Sequence, residues 1–113
     1  MDWKISEKTV LQPDLFVACF DFKNAKYITQ APCLAAEILS PSNRNKDFLL
    51  KKEIYRQQGV KYYVVIDPDD NSYVIYEISG GDYKVAQAGH SGSFQFIFDE
   101  CFVNIDFGKI FNS

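Results

Sequence analysis

Two acidic residues beside neighbouring apolar segments are the first candidates for chemistry. Asp14 precedes the apolar run at residues 15–20, and Glu37 lies near the end of a second run at residues 33–39. If these runs pair as antiparallel strands with Asp14 opposite Glu37, the midpoint of the pairing falls at residues 24–26, where a turn is expected. Directly opposed residues share a face of the sheet, with Cβ atoms about 5 Å apart. This register therefore predicts that the two carboxylates meet.

Two carboxylates side by side in an apolar hairpin repel each other unless one is protonated or a cation lies between them. Oxygen ligands of this kind suit Mg²⁺ or Mn²⁺. The pairing therefore predicts a divalent-metal site. An alternative stays open, in which Asp14 is an ordinary strand-start residue after Pro13 and Glu37 is a strand-end carboxylate paired with a nearby lysine.

A lysine on the following segment could complete the site. Residues 46–58 contain no Gly or Pro and predict a helix, whose first or second turn could project Lys51 toward the end of the Glu37 strand. In phosphodiester hydrolysis such an ammonium group orients the attacking water and offsets developing negative charge, while a metal acts as Lewis acid. Lys51 could instead pair with Asp47, and Lys52 competes for the role, so spacing alone leaves the choice open.

The elements that position these residues follow from periodicity and turn residues. We predict two strands, the helix, four more strands at residues 61–66, 72–78, 82–88 and 94–98, and a closing helical turn. Gly59 is a natural C′ residue for the helix, and Leu50 and Ile54 form an apolar stripe, with Phe48 and Tyr55 alongside, that is expected to face the core. The expected class is α/β (α+β), with a mixed, mostly antiparallel central sheet and one main helix.

Bulk composition limits the function classes. The chain has 113 residues with 47% apolar content, including ten Phe and seven Tyr, which predicts a single domain over residues 1–113. A net charge of −3 argues against a strongly electrostatic nucleic-acid binder, although residues 44–61 carry six basic and two acidic side chains. That segment is either a basic face or an ordinary solvated helix.

Location and cysteine state are also predicted from the sequence. No apolar window is long enough for a membrane helix, and the N-terminus lacks the apolar core of a signal peptide, so a soluble cytoplasmic protein is expected. Cys19, Cys33 and Cys101 form no metal-ligand pattern and are interpreted as core thiols.

Three strings carry a resemblance to a known family. QPDLFVAC, AEILSPSNRNKD and KKEIYRQQGVKYYVVIDP resemble the Uma family of restriction-endonuclease-like proteins, a branch of the PD-(D/E)XK nucleases. The resemblance implies a restriction-endonuclease-like fold, DNA as substrate and Mg²⁺ or Mn²⁺ as cofactor. It matches Asp14, Glu37 and Lys51 to the catalytic residues, and it implies metal ligation by Asp14, Glu37 and the carbonyl of Ile38.

The chain departs from the family pattern at two places. The superfamily lysine lies two residues after the acidic residue, where this chain has Leu39, so the helix must supply the lysine. Only twelve residues precede Pro13, fewer than is usual in the family, so we expect either an excised piece or a shortened version, with exposed sheet edges. Self-association as a homodimer or higher homo-oligomer is then expected. The rival hypothesis is a catalytically inactive interaction or structural module with the same fold.

Overall fold

The computed structural model describes residues 2–4, 10–11, 15–17, 27–28, 32–40, 46–99 and 101–111. Ten strands and two helices lie within these residues, and the predicted mixed, mostly antiparallel α+β class is confirmed. In chain order they are β1 (Asp2–Lys4), β2 (Val10–Leu11), β3 (Leu15–Val17), β4 (Tyr27–Ile28), β5 (Leu34–Ile38), α1 (Lys46–Gln57), β6 (Tyr62–Asp67), β7 (Ser72–Ser79), β8 (Asp82–Gly89), β9 (Ser93–Ile97), β10 (Phe102–Asp106) and α2 (Phe107–Phe111).

The central sheet has five strands in the order β3-β5-β6-β7-β8. Within this sheet, among the described strands, only β5 and β6 run parallel, and α1 is the crossover between them, since parallel neighbours cannot be joined by a tight turn. The other neighbours are antiparallel. Between β7 and β8, Gly80 and Gly81 both have positive φ, at 61° and 87°, which a two-residue hairpin turn of the I′ type requires.

The two faces of the central sheet are covered by different elements. One face carries the main apolar cluster, which joins the sheet to the β9–β10 hairpin and α2. There the Tyr62 ring meets the Phe96 ring edge-on, with centroids 5.0 Å apart. The opposite face lies under α1, where the Tyr55 and Tyr63 centroids are 5.0 Å apart. Successive residues of β5 point to opposite faces, so a one-residue shift in its pairing would move each of its side chains to the other face of the sheet.

Helix α1 ends in a Schellman motif that fixes Tyr55. The amide of Val60 donates to the carbonyl of Tyr55, and the amide of Gly59 donates to that of Arg56, both at 3.1 Å. Gly59 has φ 76°, the left-handed conformation expected of the C′ residue. Tyr55 and Val60 are fully buried, which supplies the apolar contact that accompanies this motif.

One prediction about packing is wrong, and strand β4 was not predicted. Leu50 is exposed rather than part of the core stripe, because α1 turns its Lys51 and Tyr55 side toward the sheet. Strand β4, which follows β3 in the sequence, pairs with β1 in a separate sheet of order β2-β1-β4. The turn predicted at residues 24–26 lies outside the described residues.

The cysteine prediction is wrong at two positions. Cys101 is an exposed free thiol that directly precedes β10, and Cys33 is half-buried and disulfide-bonded, so neither is a core thiol. Cys19 lies outside the described residues. Among the helices described, none is long and apolar enough to cross a membrane.

Candidate active site

Glu37 is a buried charged residue on the face of the sheet that α1 covers. Its strand, β5, pairs Ala35 with Tyr63 and Glu37 with Val65, so Glu37 lies on the same face as the Tyr63 ring. Only 5% of the residue is exposed, and within the described part of the chain no other polar or charged residue is as buried. Burying a carboxylate is costly unless hydrogen bonds and charges compensate it. Its partners therefore define the site.

Two side chains of α1 compensate the Glu37 carboxylate. The Tyr55 hydroxyl donates to Oε1 at 2.6 Å, and this bond is buried. The Lys51 ammonium lies 3.4 Å from Oε2, and its side chain keeps 25% of its surface exposed. The first contact has the length of a charge-assisted O–H···O⁻ bond, and the second is a looser ion pair. We refer to Glu37, Lys51 and Tyr55 as the Glu37 cluster.

The spacing of Lys51 and Tyr55 explains why both reach the same carboxylate. They are one turn apart on α1, and residues at i and i+4 project from one side of a helix. Sequence reasoning identified Lys51 but missed Tyr55, which it treated as a packing residue. The available signal was this four-residue spacing from the candidate lysine.

The two candidate lysines have different surroundings. Lys51 contacts Glu37, whereas the Lys52 ammonium lies 4.1 Å from the centroid of the Tyr76 ring, a cation–π distance. The alternative partner of Lys51, the Asp47 side chain, lies outside the described residues. The structure thus brings Lys51 rather than Lys52 to the buried carboxylate.

Asp14 lies outside the described residues, but the strand after it is described. Strand β3 pairs antiparallel with β5 in the register Leu15–Ala36. In an antiparallel pair of strands, paired residue numbers have a constant sum, and 15 with 36 gives the same sum as 14 with 37. The observed register is therefore the one assumed from the sequence.

Ile38 and Leu39 follow Glu37 at the end of β5. Ile38 is the last residue of the strand and has an exposed side chain. The Leu39 amide donates to the Ile66 carbonyl at 2.8 Å, which continues the pairing with β6. Within the ranges that the structure describes, no group of three or more His, Cys, Asp or Glu side chains clusters as a metal site would.

A groove of about 560 Å³ lies on the other flank of α1, against β8. None of the three residues of the Glu37 cluster lines it. Its charged groups largely satisfy one another: the Arg56 guanidinium donates to Glu53 and to the carbonyl of Gly81. The hydrogen bond from Arg56 lowers the pKa of Glu53, and burial raises the pKa of Tyr83. This groove is separate from the buried carboxylate.

The chain belongs to a family of nuclease-like proteins. It matches the family described as "Uma2: Putative restriction endonuclease" over residues 1–100, which confirms the resemblance seen in the sequence and extends it to the N-terminus.

A solved structure shows the same fold. The crystal structure of a "putative nuclease belonging to DUF820" from Anabaena variabilis ATCC 29413 is similar with a TM-score of 0.58 and 17% sequence identity. The match covers 78% of this chain and 48% of that protein, so the chain spans about half the length of this relative. The restriction-endonuclease-like fold is thereby confirmed. No curated protein matches the chain.

Proposed function

We propose that this chain is a metal-dependent endonuclease domain that hydrolyses DNA phosphodiester bonds. The observation that carries the proposal is the buried Glu37 carboxylate, held by Tyr55 and Lys51, in a member of the Uma2 family. A purely structural position gains little from a buried acid, because an apolar residue of similar size would avoid the desolvation cost. Buried, charge-paired acids are concentrated at functional sites.

Glu37 fits the role of a metal ligand. An ionised carboxylate has about four lone-pair positions, so one glutamate can accept from donors such as Tyr55 and Lys51 and also ligate a cation. We propose Asp14 and the Ile38 carbonyl as the further ligands. The Leu15–Ala36 register is the one that the sequence-based pairing of the two acidic residues assumes, which supports this ligand set. When bound, Mg²⁺ or Mn²⁺ would supply Lewis-acid polarisation of a phosphoryl oxygen and a water of lowered pKa.

Lys51 has the properties required of the cationic member. Its ammonium group is loosely held at 3.4 Å from Glu37, and the side chain is partly exposed, so it can reach a substrate at the surface. In the reaction it would orient the attacking water and offset the negative charge that develops on the phosphorane oxygens. Three donor hydrogens on the ammonium group allow it to contact Glu37 and the substrate together.

A plasmid-nicking assay tests the proposal. Purified protein is incubated with supercoiled DNA and Mg²⁺ or Mn²⁺, and with EDTA as the metal-free control. We expect nicking by the wild type, and a loss of at least about 100-fold in Glu37→Gln and in Lys51→Ala, since general catalytic groups contribute on that scale. Lys52→Ala is the matched control, because it removes the neighbouring ammonium and leaves Glu37 untouched. Equal rates in all four proteins, or no nicking in any, would instead favour the inactive module.

We also propose that the chain forms a homodimer or higher homo-oligomer. Large apolar side chains are exposed in several described elements, and such surface is uncommon on isolated monomers when it is contiguous. Light scattering after gel filtration measures the mass directly. A strict monomer across the accessible concentration range would exclude self-association.

A further inference from the structure

We infer that Tyr55 is a positioning residue for Glu37: its hydroxyl occupies Oε1 and so presents Oε2 to Lys51 and to a bound cation. The inference rests on the proposed function, because it assigns Tyr55 a role in the same site. The sequence prediction gave Tyr55 a packing role only, and it did not address the two carboxylate oxygens separately.

The two oxygens of Glu37 are held by contacts of different strength. The Oε1 contact with the Tyr55 hydroxyl is 2.6 Å and buried, whereas the Oε2 contact with the Lys51 ammonium is 3.4 Å and partly buried. Charge-assisted O–H···O⁻ bonds lie at about 2.5–2.7 Å, and contacts between charged nitrogen and oxygen at about 2.7–2.9 Å. Oε1 is therefore held by the shorter, buried contact, and Oε2 is the oxygen that faces the partly exposed Lys51 side chain.

Tyr55 is itself held rigidly. Its ring is fully buried and packs on the Tyr63 ring with centroids 5.0 Å apart. Its carbonyl accepts the amide of Val60 in the Schellman motif, which fixes the backbone at this turn. A glutamate without such a donor can rotate about its terminal torsion, which has a broad energy profile. The hydroxyl thus selects one orientation of the carboxylate.

A purely structural role makes a different prediction. If Tyr55 only satisfied a buried acid, removing its hydroxyl would lower stability equally with and without a bound cation. If it orients the ligand, removal also weakens cation binding. Groups that hydrogen-bond a metal ligand from behind typically change metal affinity or activity by about 10–100-fold when removed.

Tyr55→Phe tests the inference, with Tyr83→Phe as the matched control. The Tyr83 hydroxyl also makes a 2.6 Å bond, to the carbonyl of Val60, and does not contact Glu37. The Mn²⁺ dissociation constant is measured by calorimetry, and thermal unfolding is recorded in EDTA and in Mn²⁺. We expect Tyr55→Phe to weaken Mn²⁺ binding by about 10-fold or more, and Tyr83→Phe to leave it unchanged. The Mn²⁺-induced rise in melting temperature should shrink in Tyr55→Phe alone.

A second measurement needs no variant. Mg²⁺ is titrated into the wild type and the side-chain resonances of Lys51 and Tyr55 are followed by NMR. We expect the Lys51 signals to move with Mg²⁺ and the Tyr55 ring signals to stay near their metal-free positions. A larger shift at Tyr55 than at Lys51 would mean that Oε1 takes the cation, which overturns the inference.

The outcomes separate this inference from the proposed function. Wild type that binds no Mn²⁺ and nicks no DNA refutes the proposed function and the role of Tyr55 with it. Wild type that binds Mn²⁺, together with unchanged Mn²⁺ affinity in a folded Tyr55→Phe protein, refutes the positioning role alone.

Discussion

Removing the Tyr55 hydroxyl should cost more stability when Glu37 is charged than when it is neutral. In the wild type, Tyr55→Phe deletes a buried hydrogen bond to a carboxylate, and bonds to charged groups contribute about 1.5–3 kcal/mol. In a Glu37→Gln background the acceptor is an amide oxygen, and a neutral bond contributes about 0.5–1.5 kcal/mol. The expected coupling between the two positions is therefore about 1 kcal/mol.

Urea unfolding of the four proteins in EDTA measures this coupling. Wild type, Tyr55→Phe, Glu37→Gln and the double variant form a double-mutant cycle, in which the effects that each change has independently on the rest of the protein cancel. For a chain of 113 residues, 1 kcal/mol corresponds to a change of about 4 °C in melting temperature. The m-value should stay constant, because neither change alters the surface exposed on unfolding. Costs of Tyr55→Phe that agree within about 0.3 kcal/mol in both backgrounds would refute a Tyr55–Glu37 bond in solution.

Three further predictions test the fold around the site. Gly59→Ala should destabilise the protein by about 1–2 kcal/mol, because φ 76° is unfavourable for alanine although nothing blocks its Cβ, and chemical denaturation measures the loss. Burial raises the pKa of the Tyr83 hydroxyl above its ordinary 10.0. The contribution of Tyr83 to stability is therefore complete below pH about 10 and is lost as pH rises further, because the phenol then ionises in the unfolded chain before it ionises in the folded one. In thermal melts from pH 8 to 11, the melting temperature should decline less steeply in Tyr83→Phe than in the wild type. Phe96→Ala should lower the free energy of unfolding by about 3–5 kcal/mol, because Phe96 is fully buried. Phe102→Ala, at a side chain that is 60% exposed, should change it by less than about 1 kcal/mol. Similar unfolding midpoints for the two variants would contradict the assigned core.

Local signals in the sequence were sufficient for the helix and for β6 to β9, whereas β10 was not predicted. Gly59 marked the end of α1, and the turn residues between β6, β7 and β8 marked the hairpins, since each of these features depends on residues adjacent in the chain. Strand β4 has two residues and pairs with β1, far away in sequence. Periodicity cannot detect so short a strand, because its partner rather than its own pattern defines it.

The site was predictable in part for the same reason. A charged residue inside the apolar segment of β5 drew attention to Glu37, and helical spacing indicated Lys51 or Lys52 without separating them. The rotation of α1 about its axis decides between the lysines, and that rotation depends on packing against the sheet. The apolar stripe that included Leu50 pointed to a different rotation, because it ignored that Tyr55 buries both a ring and a hydroxyl bonded to Glu37.

The Glu37 cluster joins two separate elements, since the acid belongs to β5 and both of its described partners belong to α1. Detachment of the helix from the sheet would scatter the ammonium, the phenol and the carboxylate in a single event. The free energy of opening α1 locally is therefore also the free energy of taking the Glu37 cluster apart. Amide exchange in α1 would report how often the centre comes apart.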